Sequence, residues 1–294
     1  MEYKTTIRVR SVERAKGDTP VADHASPRID TSVAHPARRY DYLLGGKDNF
    51  EADRESARQI ERVVPTARLT ALENRAFLHR AVRFMAGNGI RQFLDIGTGI
   101  PTSPNTHEIA QRIAPAARIV YVDNDPLVLV HARALLTSTP QGKTSYIEGD
   151  LRQPGQILND RELAATLDLS QPVGLLLVAV LHFIRDDDNP RATIDALIDA
   201  LPADSIVVAS HGTFEHMPAE QAAALTKVME AQFRQRSGTE FRTLFDRPDL
   251  RLVEPGVQSV AQWWADEASQ PRPAIEDVAC NGLVARVVRA NTEV

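Results

Sequence analysis

Five short apolar runs, at residues 91–96, 118–123, 144–148, 173–180 and 205–210, alternate with stretches of helical spacing at 105–114, 127–136, 157–167 and 191–201. A chain that returns to an extended apolar run after each helix reads as successive βα units. Right-handed crossovers lay such strands side by side in a parallel sheet with helices on both faces. The run 173–180 is continuously apolar, as a central strand buried on both faces requires. A helix is expected over 217–236, followed by weaker strand candidates at 250–253 and 283–288.

Upstream of this rhythm, Leu69, Leu72, Phe77, Leu78, Val82 and Met85 recur at helical spacing until Gly87 and Gly89 end the pattern. Residues 1–35 mix Pro, Asp, Ser, Ala and His without periodicity. The chain of 294 residues is thus expected to divide into a mobile tail (1–36), a helical cap or lid (37–90) and one Rossmann-like body (91–294). The longest apolar stretch, 173–184, is interrupted by His182 and falls short of the roughly 18 residues a membrane helix needs. No apolar segment of secretory type opens the chain, so a cytoplasmic, membrane-free protein is expected. Cys280 is the single cysteine, which excludes an intramolecular disulfide and a multi-cysteine metal site. Residues 1–39 carry a net +3 and the remaining 255 a net −8. A body that acidic disfavours nucleic acid as a partner.

The segment Phe93-Leu94-Asp95-Ile96-Gly97-Thr98-Gly99-Ile100-Pro101-Thr102 runs from a strand through an acid into a Gly-x-Gly turn. Two glycines permit a tight turn and close approach of a ligand, though a plain structural turn uses them as well. The third glycine of a dinucleotide fingerprint would stand where Thr102 is, and Pro101 and Pro104 delay the helix that a pyrophosphate needs. An aspartate just before the first glycine instead suits a ligand with a cationic amine and a nucleoside. Asp123, with Asn124 after it, ends the second strand, where a carboxylate can accept both ribose hydroxyls or simply cap the helix starting near Pro126. Gly149-Asp150-Leu151 ends the third; Asp150 could accept from an adenine amino group while Leu151 packs on the ring, or serve as a turn residue.

Asp95-Ile96-Gly97-Thr98-Gly99, Tyr121-Val122-Asp123-Asn124-Asp125-Pro126 and Gly149-Asp150-Leu151 resemble the first three motifs of class I S-adenosylmethionine-dependent methyltransferases. Val180-Leu181-His182-Phe183-Ile184 is similar to their motif after the fourth strand. More narrowly, Tyr40-Asp41-Tyr42-Leu43-Leu44-Gly45-Gly46-Lys47-Asp48-Asn49-Phe50, Asn74-Arg75-Ala76-Phe77-Leu78, and Pro101-Thr102 through Asn105-Thr106-His107 resemble an actinobacterial S-adenosyl methyltransferase family, long catalogued as a domain of unknown function. The resemblance runs from about residue 37 to the C-terminus. It implies a mostly parallel seven-stranded sheet and S-adenosyl-L-methionine as cofactor. Asp95, Gly97 and Gly99 would hold the methionine end, Asp123 the ribose and Asp150 the adenine, with Thr98, Asn124, Leu151 and Val180 also expected in the cofactor site.

The expected activity is direct methyl transfer to an oxygen or nitrogen of a small-molecule acceptor. A non-catalytic S-adenosylmethionine-binding or regulatory protein is the alternative, and a nicotinamide-dependent oxidoreductase is a more distant one. Tyr40, Tyr42, Lys47, Asp48 and Asn49 are expected to shape the acceptor pocket as a lid; alternatively, Gly45-Gly46 is a turn with the tyrosines packed beneath it. His182 is the one catalytic candidate, placed to orient or deprotonate an acceptor; alternatively, it packs against the cofactor or the core. His211, Glu215 and His216 cluster in sequence without matching a metal motif, so no metal is expected. His107 can be read as a helix-surface or a site residue, and Trp263-Trp264 as packing or as an aromatic pocket wall. The acceptor and the oligomeric state are not legible.

Overall fold

The computed structural model describes residues 29–289 except 136, 230–232 and 267. Most of the tail expected over 1–36 therefore lies outside the described residues. Three helices come first: α1 (Pro36–Leu43), α2 (Glu51–Val63) and α3 (Ala67–Gly87). The alternating part follows as β1 (Gln92–Ile96), α4 (Thr106–Ile113), β2 (Arg118–Asp123), α5 (Pro126–Leu135), β3 (Lys143–Glu148), α6 (Pro154–Leu158), α7 (Arg161–Thr166), β4 (Gly174–Leu177), α8 (Pro190–Asp199) and β5 (Ile206–Gly212). The chain closes with α9 (Ala219–Met229), α10 (Gly238–Thr243), β6 (Leu250–Leu252), β7 (Gln258–Ser259) and β8 (Cys280–Val287).

The sheet order is β3-β2-β1-β4-β5-β8-β6, with β7 paired to β8 off this path. Strands β1 to β5 are parallel, and β8 runs antiparallel to β5, β6 and β7. This is the α/β, Rossmann-like, class I methyltransferase architecture. It has eight strands among the described residues where seven were expected, because Gln258 and Ser259 pair with Gly282 and Asn281 as a two-residue strand.

Side chains alternate across each strand, so the sheet has two cores. Leu94, Ile96, Val120, Val122, Leu175 and Val207 enter one, with α6, α7 and α8 packed over them. Phe93, Ile119, Tyr121, Leu176 and Val208 enter the other, together with Phe77, Ala81, Val82 and Met85 of α3. Asp95 and Asp123 follow the alternation of Phe93 and Tyr121, so both carboxylates stand on the face that α3 and α4 cover.

Three expected elements differ. The helix read over 217–236 is helical at Ala219–Met229, and residues 233–237 are not helical. The helix read over 157–167 is two helices, because Asp160 accepts from the Glu162 N–H at 2.7 Å and starts a new cap. The apolar run 173–180 leaves the sheet at Leu177. Ala179 takes a left-handed φ of 56°, and its N–H donates to Ser210 Oγ at 2.9 Å. The last part of the run thereby becomes cavity wall.

Candidate active site

The sheet order reverses between β1 and β4, and ligands of open α/β sheets bind at the carboxyl ends beside such a reversal. A cavity of about 600 Å³ opens there, walled by the strand tips below and by α1, α2, α3 and α9 above. Asp95, Gly97, Thr98, Gly99, Asp123, Asn124, Asp150, Leu151, Val180 and His182 all line it. The sequence-predicted cofactor residues are thus brought together, from four separate strand ends.

The glycine turn is fixed by backbone geometry. Gly97 and Gly99 have φ of +75° and +69°, and a Cβ on Gly97 would lie 2.6 Å from Val180 Cγ2. A side chain would be strained at either φ, and at Gly97 it would also collide with Val180, so glycine suits both positions. The Gly97 and Thr98 N–H groups donate to the Val122 carbonyl at 2.8 and 3.2 Å, and the Gly99 N–H donates to Asp123 Oδ2 at 2.8 Å. These three amides are therefore spent within the protein. A pyrophosphate would need them free, which argues against a dinucleotide.

Asp123 also accepts from the Asp125 N–H at 2.9 Å, so its carboxylate joins the β1 and β2 tips. Asp95 Oδ2 accepts from Thr106 Oγ1 at 2.7 Å. Burial lifts both carboxyls to about 6; at Asp95 the Thr106 hydroxyl and the charge of Arg75 oppose the rise, and at Asp123 the backbone donors do. Asp150 differs. Burial pushes its pKa up, but the Arg152 side chain, at 2.7 to 3.1 Å, and the Arg152 N–H outweigh this and hold it below the usual carboxylate value.

Arg75 is a site residue with no local signal in the sequence beyond the motif that contains it. Its Nη2 donates to the carbonyls of Thr102 and Pro104, while its buried Nε has no partner. A cationic donor with an unused N–H beside Asp95 offers a carboxylate and an amine one partner each. Together with the carboxylate at the β2 tip, this donor set fits an amino acid joined to a nucleoside.

The expected lid is only partly at the cavity. Tyr40 lines it, its hydroxyl donating to the Ala71 carbonyl and accepting from Asn74 Nδ2, both at 3.0 Å; burial pushes this hydroxyl up to about 12. Tyr42, Lys47, Asp48 and Asn49 are not in the wall. The Tyr42 ring packs on Arg68, Lys47 is exposed, and Asp48 faces His131 at 3.6 Å. Asn49 donates to Asp41 Oδ2 at 2.7 Å, and the Asp48 N–H does so at 3.0 Å. The buried Asp41 carboxylate organises this turn, and it presses so closely on Gly46 that a Cβ there would sit 1.9 Å from Asp41 Oδ1. The Gly-Gly pair is thus a turn around a carboxylate.

His182 is buried in the wall, beside Phe233 at a ring separation of 4.7 Å and His211 at 5.7 Å. Its Nδ1 accepts from the Gly212 N–H at 3.3 Å. Burial, then the neighbouring His211, Arg39 and Arg236, hold it well below the usual imidazole value, so the ring is neutral. With Nδ1 accepting, the proton sits on Nε2. Such a ring donates a hydrogen bond and has no spare lone pair with which to deprotonate an acceptor.

His211 is locked. Its Nδ1 donates to the Gly212 carbonyl at 2.8 Å and its Nε2 accepts from Arg236 Nη1 at 3.0 Å. Glu215 is held by the Gly238 N–H and Asn281 Nδ2. Among the described residues no group of three or more His, Cys, Asp or Glu side chains is placed to hold a metal. His107 is buried against the Tyr121 hydroxyl at 2.9 Å, which rules out the helix-surface reading. Trp263 is fully buried edge-on to Phe77, as packing.

The far end of the cavity is apolar. Ile60, Val64, Ala67, Phe214 and Leu225 form their own hydrophobic cluster, with Leu43, Met217, Met229 and Phe233 packed against it. Arg39 also reaches the cavity wall.

A family model described as S-adenosyl methyltransferase matches residues 22–288. A DUF574 family protein from Streptomyces avermitilis is 43% identical in sequence, with a TM-score of 0.82; the match covers 88% of this chain and 100% of that one. A candidate methyltransferase from Thermobifida fusca is 38% identical, with a TM-score of 0.81, covering 91% of this chain and 100% of that one. No curated protein matches the chain.

Proposed function

The chain belongs to the S-adenosyl methyltransferase family and is an S-adenosylmethionine-dependent enzyme, and from that premise we propose that it methylates an oxygen or nitrogen atom of a small molecule held in the apolar end of its cavity. The observation that carries this reading is the continuity of one cavity from the strand-tip carboxylates to the cluster around Phe214. Bound S-adenosylmethionine supplies an electrophilic methyl group on a sulfonium whose departure needs no acid.

Asp95 accepts the methionine amine, and Arg75 Nε donates to the methionine carboxylate. Asp123 accepts the ribose hydroxyls and Asn124 lies beside them. Asp150, Leu151 and Val180 enclose the adenine side. Helices α1 and α2, with the start of α3, act as the cap over the 91–294 body and keep water from the reacting atoms. With the leaving group already activated, the protein contributes proximity, orientation and desolvation. Tyr40 replaces the wider lid expected from the 40–50 segment.

Calorimetry with S-adenosylmethionine tests the assignment. Asp123→Ala is expected to weaken binding by about tenfold or more, the loss of a charge-assisted bond. Equal binding by wild type and variant removes the ribose role. A screen for methyl transfer from labelled S-adenosylmethionine to small molecules tests the acceptor class.

A further inference from the structure

Just before α1 the chain crosses the cofactor end of the cavity as a single layer. Val33, Ala34 and His35 line the cavity together with Asp123 and Asn124, yet Val33 is also 58% exposed. One thickness of irregular backbone thus stands there between the nucleoside site and solvent.

The two ends of this span are fastened to different parts of the body. At one end Ile29 packs against Ile100, Leu127 and Val128. Those three residues follow the glycine turn and the Asp123 tip, the two loops assigned to the cofactor. The Asp30 carbonyl accepts from Arg38 Nη1 at 3.0 Å. At the other end the His35 N–H donates to Asp53 Oδ1 at 2.8 Å. Between these anchors the chain bonds only to itself: the Ser32 N–H and Oγ donate to Asp30 Oδ1 at 2.9 and 2.6 Å. Among the described residues no hydrogen bond joins 31–34 to the body. A span tied at its ends and unbonded in its middle opens at lower cost than the helices around it.

His35 gives the span a polar contact to offer. Its ring Nδ1 lies 3.1 Å from Asp125 Oδ2 and accepts from the Ala37 N–H at 3.3 Å, so both described contacts use the same nitrogen. Asp125 in turn donates its N–H to Asp123, which sets the ring beside the carboxylate assigned to the ribose. A ribose hydroxyl donates as readily as it accepts, so it pairs with Nε2 in either tautomer.

Resting on the cofactor reading above, we propose that residues 29–35 are a strap that closes over the bound cofactor, with His35 Nε2 on a ribose hydroxyl. S-adenosylmethionine enters, and S-adenosylhomocysteine leaves, when the strap lifts. The strap sets how long the nucleoside stays and takes no part in the methyl transfer itself.

The test uses the full chain and S-adenosylhomocysteine. Calorimetry first measures its affinity; no binding at all overturns the cofactor reading, and the strap with it. Where it binds, surface plasmon resonance compares Ile29→Ser and His35→Ala with the wild type. Ile29 does not line the cavity, so Ile29→Ser loosens an anchor without removing a ligand contact. Association and dissociation are both expected to quicken about fivefold, while Kd changes by less than about twofold. His35→Ala removes a contact as well, and Kd is expected to weaken about fivefold. Hydrogen exchange of the wild type is read alongside: the amides of 31–35 should exchange about tenfold more slowly once the ligand is bound. Unchanged rates in Ile29→Ser, or exchange over 31–35 indifferent to ligand, overturns the strap. A wild-type Kd in His35→Ala overturns the ribose contact. The exchange comparison stands even if neither variant folds.

Discussion

Asp95 and Asp123 are buried, 6% and 5% exposed, with carboxyls raised from 3.8 to about 6 by desolvation. Folded chains therefore hold these protons more tightly than unfolded ones, so this contribution to stability is present at acid pH and is lost as pH rises from 3.8 to about 6. Binding a cationic amine and ribose hydroxyls calls for the ionised form, which gives the opposite slope. Calorimetry from pH 8 downward should find S-adenosylmethionine affinity flat at first. Below pH 6 it should fall by up to about tenfold per unit for each carboxylate that must ionise. Asp95→Asn removes one buried charge, and denaturation at pH 8 should show the free protein more stable by about 1–3 kcal/mol, while cofactor affinity drops. At this scale the sequence was most legible where position itself carries meaning: acids and glycines at strand ends. Arg75 was not, because one arginine on a helix has no local signature and its role follows from carbonyls 27 and 29 residues away. Lys47, Asp48 and Asn49 misled, since nothing local reveals that the preceding Asp41 folds inward and draws the turn around itself.

Helix α1 is fastened to the cofactor wall by charge. Arg38 Nε lies 3.1 Å from Asp125 Oδ2 and its Nη1 lies 3.9 Å from Asp53 Oδ2. Asp53, fully buried, also accepts from the His35 and Phe50 N–H groups, both at 2.8 Å. Asp125 in turn donates its N–H to Asp123. Arg38→Met removes the guanidinium from two buried carboxylates, leaving Asp53 its backbone donors and Asp125 its contacts with His35 and the Leu127 N–H, and should cost about 1–3 kcal/mol in chemical denaturation. Because the same turn presents Asp123, it should also weaken cofactor binding. Elements were readable in sequence where hydrophobic period and cap agreed, as in α3 and β2. They were misread where one residue overruled the period: Asp160 divides a helix, and Ala179 ends a strand three residues before its apolar run does.

Across the molecule, the βα rhythm was enough to give the parallel sheet, but not the place of the first helices. A boundary near residue 90 suggests a removable cap. Yet Phe77, Ala81, Val82 and Met85 of α3 pack into the core on one face of the sheet, against Phe93, Leu176, Val208 and Val284. Arg80 ties the same helix to the carbonyls of Val260 and Trp263, at 2.5 and 2.9 Å. A fragment beginning at residue 91 should therefore lose its near-ultraviolet circular dichroism and unfold without cooperativity. A fragment that melts as sharply as the full chain would show that α3 is dispensable.

The cluster of Ile60, Val64, Ala67, Phe214 and Leu225 is separate from both sheet cores. It roofs the acceptor end from chain segments about 160 residues apart, held by the Gln221 side chain donating to the Val63 carbonyl at 2.8 Å. Substitutions in that roof can re-cut the chamber while the strand tips, and the cofactor they hold, stay in place. A lineage built on this plan can exchange one acceptor for another by altering a few roof residues. Its chemistry can persist while its substrates diverge.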